Sequence, residues 1–364
     1  MIGNVSRLRQ FDSCREKAYN WDELKLASYR DPDPLMIGEA YHRGSEVLAK
    51  LGNIEEAVQA AEDTFRKRLE GQLILAEERP EIEREIEFVR HATRAWAQHY
   101  DTADFKILWP EVSGLVELPG TEHHCYFCHR LLTDQPFKEC PGVPNECLQP
   151  HFLKFRTDGV LEFYHKIWLL EQKTTSSTAR NNFWPKWNME FQVGCYMYGV
   201  WRKTGVKPSG VMINAIIKHY QRDNTRKTDS GNYRMKLDPT NVDFEREGFV
   251  YTEQMLKSFE RDLIIKMNEY EAAFIDPANK ITRNTDNCFS YNRACYYWSK
   301  CQRKYSGIEP FEIEGEFRPR PADYVENSYY ELLGLPTPQP KEELCQIQPV
   351  QTDQNQPSAF SAEG

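Results

Sequence analysis

The chain has 364 residues, 40% of them hydrophobic and 28% charged, with a formal net charge of −9 at pH 7. That length can bury a substantial core in one large domain or two smaller ones, and the net charge argues against an indiscriminate nucleic-acid binder. No apolar stretch approaches the roughly 20 residues that cross a bilayer, and the polar start MIGNVSRLRQF lacks the apolar core of a signal peptide. The sequence therefore predicts a soluble, cytoplasmic protein, in which cysteines more often bind metal than form disulfides.

Three helices and a strand are predicted in the first third of the chain. Asp33-Pro34 is typical of a helix N-cap followed by N1, and this helix is expected to run to about Leu51. His42 lies on it, where a single His is usually a packed, hydrogen-bonded side chain. Two more helices are expected, at Ile54 to about Leu69 and at Pro80 to Tyr100. One strand, or a pair of short strands, is expected at Phe105 to Leu118.

A cysteine-rich segment follows in residues 122–150. A C-x-x-C pair and two further thiols in a short polar stretch have the spacing of a small structural zinc site, with ligands Cys125, Cys128, Cys140 and Cys147. Three histidines beside them are reserve ligands: His123, His124 and His129. Four thiolates would fill the coordination shell and leave no position for catalysis. A disulfide-bonded loop is the alternative interpretation.

Two adjacent strands are predicted after this segment. Lys154 to Phe163 forms the first strand and Ile167 to Thr174 the second, which leaves Tyr164-His165 as a tight connection. Side chains alternate between the two faces of a strand. Glu171 and Lys173 are therefore expected on one face of the second strand, and Gln172 on the other.

Asp158 and Glu171 can face each other across this pair of strands. Two facing carboxylates repel each other unless a cation lies between them, and Mg²⁺ typically binds one or two carboxylates together with substrate phosphate. Lys173 beside such an ion would orient or deprotonate a water, or neutralise developing charge. Each piece has an ordinary alternative, because E-x-K is often a solvated surface pair and D-G is often a turn.

A helix is predicted from Trp184 to Lys203. Gln192 and Tyr196 are four residues apart and so share one face of this helix. Their amide and phenol groups can hold a phosphate or a base. The alternative is that Tyr196 is a core aromatic and that Gln192 only contributes to packing.

The rest of the chain contains a strand, a polar hairpin tip and a long amphipathic helix, expected at Val211–Lys218, Asn224–Arg234 and Thr252–Phe274. Basic residues cluster here with few acids between them: Arg202, Lys203, Lys207, Lys218, Arg222, Arg226, Lys227, Arg234 and Lys236. Such a stretch can follow a phosphate backbone, although a solvated face is the alternative beyond Arg222. The Pro- and Gln-rich end, residues 316–364, has too little apolar content to fold alone and is expected to be flexible, with Cys345 as a free thiol.

Together, RTDGVLEF, IWLLEQKTT and EFQVGCYMYG resemble the PD-(D/E)XK nuclease superfamily, and within it the RecB-like branch of AddB-type, CRISPR-associated and phage exonucleases. That branch has, in order, a helical His, an upstream Glu, G-x-x-D or a close relative, D/E-x-K and Q-x-x-x-Y. The order is complete here and spans most of residues 1–305: His42, Glu111, Asp158, Glu171, Lys173, Gln192 and Tyr196. Glu171 stands where the branch more often has Asp, and the cysteine-rich segment separates Glu111 from Asp158.

The resemblance implies a site for Mg²⁺ or Mn²⁺, with ligands from His42, Glu111, Asp158, Glu171 and the main-chain carbonyl of Gln172. It also implies that Lys173 orients the attacking water and offsets charge on phosphorus. Gln192 and Tyr196 would bind DNA and position the strand near the scissile phosphate.

A second set of cysteines resembles the iron–sulfur ligands of nucleases in this branch, in which one Cys near the start joins three near the end. The corresponding residues are Cys14, Cys288, Cys295 and Cys301. Four thiolates can hold a [4Fe–4S] cluster, which would clip the chain ends together and offset the entropy of closing so long a loop. The family commonly has C-x-x-C-x5-C; this chain keeps the C-x5-C half but has a longer first gap. Buried thiols without a cluster are the alternative.

The expected fold is α/β, with a restriction-endonuclease-like mixed central sheet flanked by helices. One nuclease domain is expected at 1–315, carrying the insertion at 122–150 and the cysteine segment at 286–303. By resemblance, the expected activity is exonuclease cleavage of DNA at a free or single-stranded end, in repair or recombination. Two alternatives stay open: a binding module that does not cleave, and a subunit of a larger recombination complex with a separate helicase, since no Walker-type G-x4-G-K-[ST] run is present.

Overall fold

The computed structural model describes residues 2–22, 24–27, 33–70, 72, 74–100, 105–119, 151–227, 232–275, 280–290, 293–309 and 317–319. All of these residues belong to one compact unit, Met1–Glu122 with Pro150–Glu326. The predicted zinc ligands, their reserve histidines and Cys345 lie outside the described residues. So does the tail at 316–364, apart from residues 317–319.

The helices and strands follow one another along the whole described chain. The helices are α1 (Val5–Ser13), α2 (Arg15–Asp22), α3 (Asp33–Leu51), α4 (Ile54–Leu69), α5 (Arg79–Tyr100), α6 (Arg180–Phe183), α7 (Phe191–Thr204), α8 (Glu253–Ile275) and α9 (Trp298–Ser306). The strands are β1 (Ile2–Asn4), β2 (Leu26–Ala27), β3 (Lys106–Glu117), β4 (Phe152–Phe163), β5 (Lys166–Ser176), β6 (Gly210–Lys227), β7 (Tyr233–Val250), β8 (Phe289–Ser290), β9 (Arg293–Ala294) and β10 (Arg318–Pro319). Within these described elements, no helix has both the length and the apolar character needed to cross a bilayer.

The described strands build a six-stranded sheet in the order β1-β4-β5-β6-β7, with β3 along the other edge of β4. The pairs β1–β4 and β5–β6 are parallel, whereas β3–β4, β4–β5 and β6–β7 are antiparallel. The sheet is therefore mixed, as the sequence predicted. Two smaller two-stranded sheets pair β2 with β10 and β8 with β9.

Helices cover both faces of this sheet. Alternate residues of β6 show the division, because Ile213 and Ala215 pack into one buried cluster and Ile216 into another. The first cluster joins the sheet to α1, α7 and α8, and the second joins it to α3, α4 and α5. Burial of each large apolar side chain contributes about 1.5–3 kcal/mol. The two helical layers therefore approach the central strands from opposite sides.

Two glycines let α7 lie unusually close to its neighbours. A Cβ at Gly194 would stand 2.4 Å from the ring of Phe259 on α8, and a Cβ at Gly199 would stand 2.4 Å from the ring of Phe155 on β4. Such distances are far below normal van der Waals contact. Because both positions are glycine, α7 packs tightly between α8 and the sheet, with its N-terminal turn over β5.

Most predicted elements are confirmed, but two predictions of boundaries are wrong. The long helices α3, α4, α5 and α8 and the hairpin β4–β5 occur where the sequence predicts them. The strand predicted at Val211–Lys218 continues to Lys227 as β6, so residues 224–227 belong to a strand and not to the predicted polar hairpin tip. The predicted helix from Trp184 instead begins at Phe191, because Pro185 opens a separate 3-10 turn, Pro185–Asn188. Strand β7 was not predicted, since its polar sequence lacks a regular apolar alternation.

Candidate active site

The centre of the sheet contains a place where two paired strands separate. Strands β4 and β5 pair from Phe163 and Lys166 as far as Gly159 and Leu170, and no further. Beyond that point, Oδ2 of Asp158 accepts a hydrogen bond from the backbone N–H of Gln172 at 2.7 Å. A side chain thus replaces the main-chain ladder, and a gap opens between the strands next to Asp158.

The hairpin before this gap has a left-handed turn. Tyr164 has a φ of 48° and His165 a φ of 59°, which is the backbone of a type I′ connection between two antiparallel strands. The sequence prediction of a two-residue connection is confirmed. The turn fixes the register of β4 against β5 and so places Asp158 beside Gln172.

Glu171 and Lys173 share one face of β5, as the alternation predicted, and this face is the one towards α7. Oε1 of Glu171 forms an ion pair with Nζ of Lys173. The same oxygen accepts a hydrogen bond from Nε2 of Gln192 at 2.9 Å, and that amide also donates to Oη of Tyr196 at 2.8 Å. The Q-x-x-x-Y pair on α7 therefore holds Glu171 in place. We call Asp158, Glu171 and Lys173 the acid site.

Gln172 points the opposite way, into the layer that contains α3. Its Oε1 accepts a hydrogen bond from Oη of Tyr41 at 2.9 Å, and its Nε2 donates to Oγ of Ser45 at 2.8 Å. Ser45 in turn donates to the backbone carbonyl of His42 at 2.9 Å. The first two bonds attach β5 to one face of α3, and the third lies within α3 and holds Ser45 in place.

His42 reaches Asp158 from the same helix. Its Nδ1 lies 2.9 Å from Oδ1 of Asp158. Burial alone would lower the pKa of His42, but the charge and hydrogen bond of Asp158 outweigh burial, so the pKa of His42 is raised. For Asp158, burial raises the pKa, whereas His42 and Lys173 lower it, and the net pKa is lowered. The two side chains thus stabilise each other as an ion pair.

Glu171 has the most perturbed carboxyl of the acid site. Burial raises the pKa of Glu171 to about 7, with the charge of Asp158 acting in the same direction and Lys173 opposing it. Lys173 shows the reverse balance, since burial lowers its pKa while Glu171 and Asp158 raise it, and the net pKa is raised. Lys173 therefore keeps its positive charge near neutral pH, and Glu171 is poised to gain or lose a proton.

One atom of Glu171 indicates how a cation would fit. Its Oε2 is buried and accepts no hydrogen bond from any residue that the structure describes. A buried carboxylate oxygen without a partner is costly, and a hard divalent ion would satisfy it. Across the described ranges, no three His, Cys, Asp or Glu side chains stand in metal-binding geometry. In the acid site each carboxylate is instead engaged by a neighbouring side chain.

Glu111 lies on β3, in the gap between two ladder pairs. Pro110 pairs with Gly159 and Val112 with Thr157, so Glu111 is level with Asp158. Its φ of 53° is left-handed, which costs a non-glycine residue roughly 1–2 kcal/mol. Its carboxylate lies 2.8 Å from the guanidinium of Arg156, and not among the contacts of the other acids. Its predicted role as a metal ligand stays a prediction.

Residues 4–302 match the family model of the PD-(D/E)XK nuclease superfamily. The chain belongs to the PD-(D/E)XK nuclease superfamily. Members of this superfamily are usually metal-dependent nucleases, and the mixed sheet flanked by helices is consistent with their fold. No curated protein matches the chain significantly.

A second group of side chains in this PD-(D/E)XK protein surrounds a small cavity between residues far apart in sequence. Four thiols line it, and we call this place the cysteine cavity: Cys14, Cys288, Cys295 and Cys301. Cys14 separates α1 from α2, Cys301 lies in α9, and the backbone N–H of Cys295 donates to the carbonyl of Cys288 at 2.7 Å. The five cysteines that the structure describes form no disulfide.

Electrostatics link these thiols to one another. Burial raises the pKa of Cys288, and the charges of Cys14 and Cys295 raise it further. Burial, followed by the charge of nearby Glu16, raises the pKa of Cys301 to about 12. Lys17 and Arg283 also line the cavity. The ligands of an iron–sulfur cluster are thiolates, but no three of these described thiols stand in metal-binding geometry. The cluster on these four cysteines stays a prediction.

Several residues that build the acid site were not predicted. Tyr41 and Ser45 are four residues apart and so share one face of α3, next to His42, a spacing that the sequence shows once His42 is singled out. Nη1 of Arg9 donates to Oε1 of Gln192 at 3.0 Å. Nothing in the sequence around Arg9 indicates this contact, because it joins two helices 183 positions apart.

Proposed function

We propose that this protein is a divalent-metal-dependent deoxyribonuclease that hydrolyses phosphodiester bonds. The observation that carries this proposal is the acid site, in which Asp158 and the unpartnered Oε2 of Glu171 meet a charged lysine where the strands separate. Oxygen donors of this kind favour Mg²⁺ or Mn²⁺. Membership of a nuclease superfamily supplies the substrate class, nucleic acid.

Each residue of the site takes a distinct role in the proposal. Asp158, Glu171 and the main-chain carbonyl of Gln172 hold the divalent ion, with Glu111 and His42 as the further predicted ligands. When bound, the ion supplies positive charge to the scissile phosphate and lowers the pKa of a water.

Lys173 acts as a cation. Since its pKa is raised, it stays protonated near neutral pH. Its ammonium therefore orients the attacking water and offsets the charge that develops on phosphorus, and it does not remove a proton.

Gln192 and Tyr196 connect the acid site to the DNA strand. Gln192 holds Glu171 by a hydrogen bond. Burial raises the pKa of Tyr196 well above its usual value, so its hydroxyl remains a donor. We propose that these two residues place the strand next to the metal ligands.

The RecB-like features of the sequence favour exonuclease action on a free or single-stranded end, in repair or recombination. They also favour a [4Fe–4S] cluster on the four thiols of the cysteine cavity, in a structural role that joins the chain ends. A structural zinc ion on Cys125, Cys128, Cys140 and Cys147 completes the proposed cofactors.

Digestion of end-labelled single- and double-stranded DNA tests the proposal. The parent protein is expected to release labelled products with Mg²⁺ or Mn²⁺ and none with EDTA, and Glu171→Ala to release none. Glu253→Ala is the matched control, because Glu253 is an exposed carboxylate at the start of α8 that pairs with Lys207 and Lys257. A parent protein that binds DNA but cuts none of these substrates would establish the binding module instead.

A further inference from the structure

Two further cationic side chains lie near the acid site. Among the described residues, Arg9 on α1 and Lys186 in the 3-10 turn before α7 both interact electrostatically with Lys173. They come from separate elements, and neither belongs to the D/E-x-K or Q-x-x-x-Y patterns. Two cations close to Lys173 are expected to attract an anion.

Arg9 is joined directly to the residue that holds Glu171. Its Nη1 donates to Gln192 at 3.0 Å, and its Nη2 lies 3.3 Å from a carboxylate oxygen of Glu190. Gln192 thus bonds to Arg9 through its carbonyl oxygen and to Glu171 through its amide nitrogen. The side chain of Arg9 is 49% exposed, so its planar guanidinium keeps donors available to a ligand in solvent.

Lys186 shares an aromatic ring with the catalytic lysine. Its Nζ lies 4.5 Å from the ring centroid of Trp187, and Nζ of Lys173 lies 5.9 Å from the same centroid. Trp187 is buried, so both ammonium groups lie beside one ring that is itself held in the core. Burial lowers the pKa of Lys186, and the positive charges of Lys173 and Arg9 lower it further against the opposing effect of Glu190.

We propose that Arg9 and Lys186 form a subsite for the phosphate group next to the scissile phosphate of a nucleic-acid strand. This proposal rests on the proposed nuclease function. An anion in this place relieves the mutual repulsion of the cations, and it receives a planar fork of donors from Arg9 and a point charge from Lys186. Binding the neighbouring phosphate fixes the scissile one against the acid site.

A purely structural role would make a different prediction. The contacts of Arg9 also connect α1 to the first turn of α7, so an Arg9 variant on its own tests the subsite less cleanly. Lys186 is exposed, and its ammonium lies over the rings of Phe183 and Trp187. Lys186→Met keeps a side chain of similar length beside these rings and removes the ammonium group with its charge, which makes it the informative variant, with Arg9→Gln as the second.

The experiment pairs each variant with a modified substrate. A short labelled oligonucleotide carries either a normal phosphate or a neutral methylphosphonate at the position adjoining the cleaved bond, tested in turn on each side. Loss of one charge-assisted hydrogen bond, worth about 1.5–3 kcal/mol, is expected to raise KM roughly 10- to 100-fold for Lys186→Met on the normal substrate. On one of the two methylphosphonate substrates, the variant and the parent are expected to differ by less than about twofold.

Lys257→Met is the matched control, because Lys257 is an exposed lysine on α8 that pairs with Glu253. It is expected to behave as the parent on every substrate. A Lys186→Met defect of equal size on all substrates, or no defect at all, would overturn the subsite.

The result also separates this proposal from the one on which it rests. If the parent protein cleaves nothing, the nuclease proposal fails, and anisotropy of the same oligonucleotides in EDTA takes over as the readout. The subsite is still supported if the parent binds one methylphosphonate substrate more weakly than the normal substrate and Lys186→Met binds these two substrates equally. Equal binding of all substrates by both proteins contradicts it.

Discussion

The acid site and the cysteine cavity both gather side chains that are distant in sequence, but they are held together in different ways. In the acid site, His42, Gln192 and Lys173 bond to the carboxylates, and each of these partners belongs to a strand or helix of the core. In the cysteine cavity, the thiols gather where α1 meets α2 and beside short elements near the end of the chain.

The difference concerns what a metal would have to supply. The acid site is already assembled by charges of opposite sign, so removal of a divalent ion is expected to leave its fold intact. In the cysteine cavity, burial raises the pKa of Cys288 and of Cys301, and neighbouring thiols raise both further, so a metal there would have to displace thiol protons when it binds. A metal is therefore expected to be catalytic at the first place and structural at the second.

Loss of the lysine charge in the acid site is expected to have the largest effect. Lys173→Ala should reduce DNA cleavage by about 10²- to 10³-fold, since removing one preorganised electrostatic group typically costs that much. The fold and Mn²⁺ binding should persist, which thermal unfolding and calorimetry would check. Cleavage at the parent rate would remove Lys173 from the mechanism.

Loss of one thiol in the cysteine cavity is expected to lower the stability of the protein more than its DNA cleavage. Cys301→Ala should abolish the broad visible absorbance and the iron content of anaerobically purified protein and lower its melting temperature, because metal-binding free energy is also folding free energy. Cys195→Ala is the control, since Cys195 is buried in α7 away from the cavity. If both variants kept equal iron, or if the parent contained none, the claim that the cysteine cavity holds a structural metal would be contradicted.

The raised pKa of Glu171 predicts a pH effect confined to the acid site. Because its pKa rises from 4.5 to about 7 on folding, the folded protein binds more protons than the unfolded chain between these values. The free energy of unfolding of the divalent-metal-free parent should therefore fall as pH rises through this window, by up to about 3 kcal/mol. Urea unfolding of Glu171→Gln, which cannot ionise, should lack this fall; equal slopes for both proteins would contradict the assignment.

The smallest predicted effect concerns the side of β5 that faces α3. Tyr41→Phe removes the hydrogen bond to Gln172 and should cost about 1 kcal/mol of stability together with a severalfold loss of activity. Tyr198→Phe removes a similar bond, to Glu260 at 2.9 Å, and should lower stability by a similar amount without changing activity. Identical activity of the two variants would mean that α3 does not position the acid site.

The sequence predicts the acid site better than the rest of the molecule because its logic is local. Strand alternation alone places Glu171 and Lys173 on one face and Gln172 on the other, and a four-residue helix spacing pairs Gln192 with Tyr196. The hydrogen bonds from α3 to Gln172 and from Arg9 to Gln192 depend on how helices dock against the sheet and against one another. Local spacing in the sequence does not encode that docking. The late start of α7 at Phe191 was not predictable from Pro185, because a proline is tolerated in the first turn of an α-helix as well as in the 3-10 turn that it opens here.

The most direct test of the central claim is a calorimetric titration of Mn²⁺ at pH 8 into the parent, Asp158→Asn and Glu171→Gln. The account predicts one Mn²⁺ site in the parent whose affinity falls at least roughly 100-fold in either variant, since each removes an anionic ligand. Mn²⁺ binding as tight in both variants as in the parent would contradict the claim that these two carboxylates hold the divalent ion together.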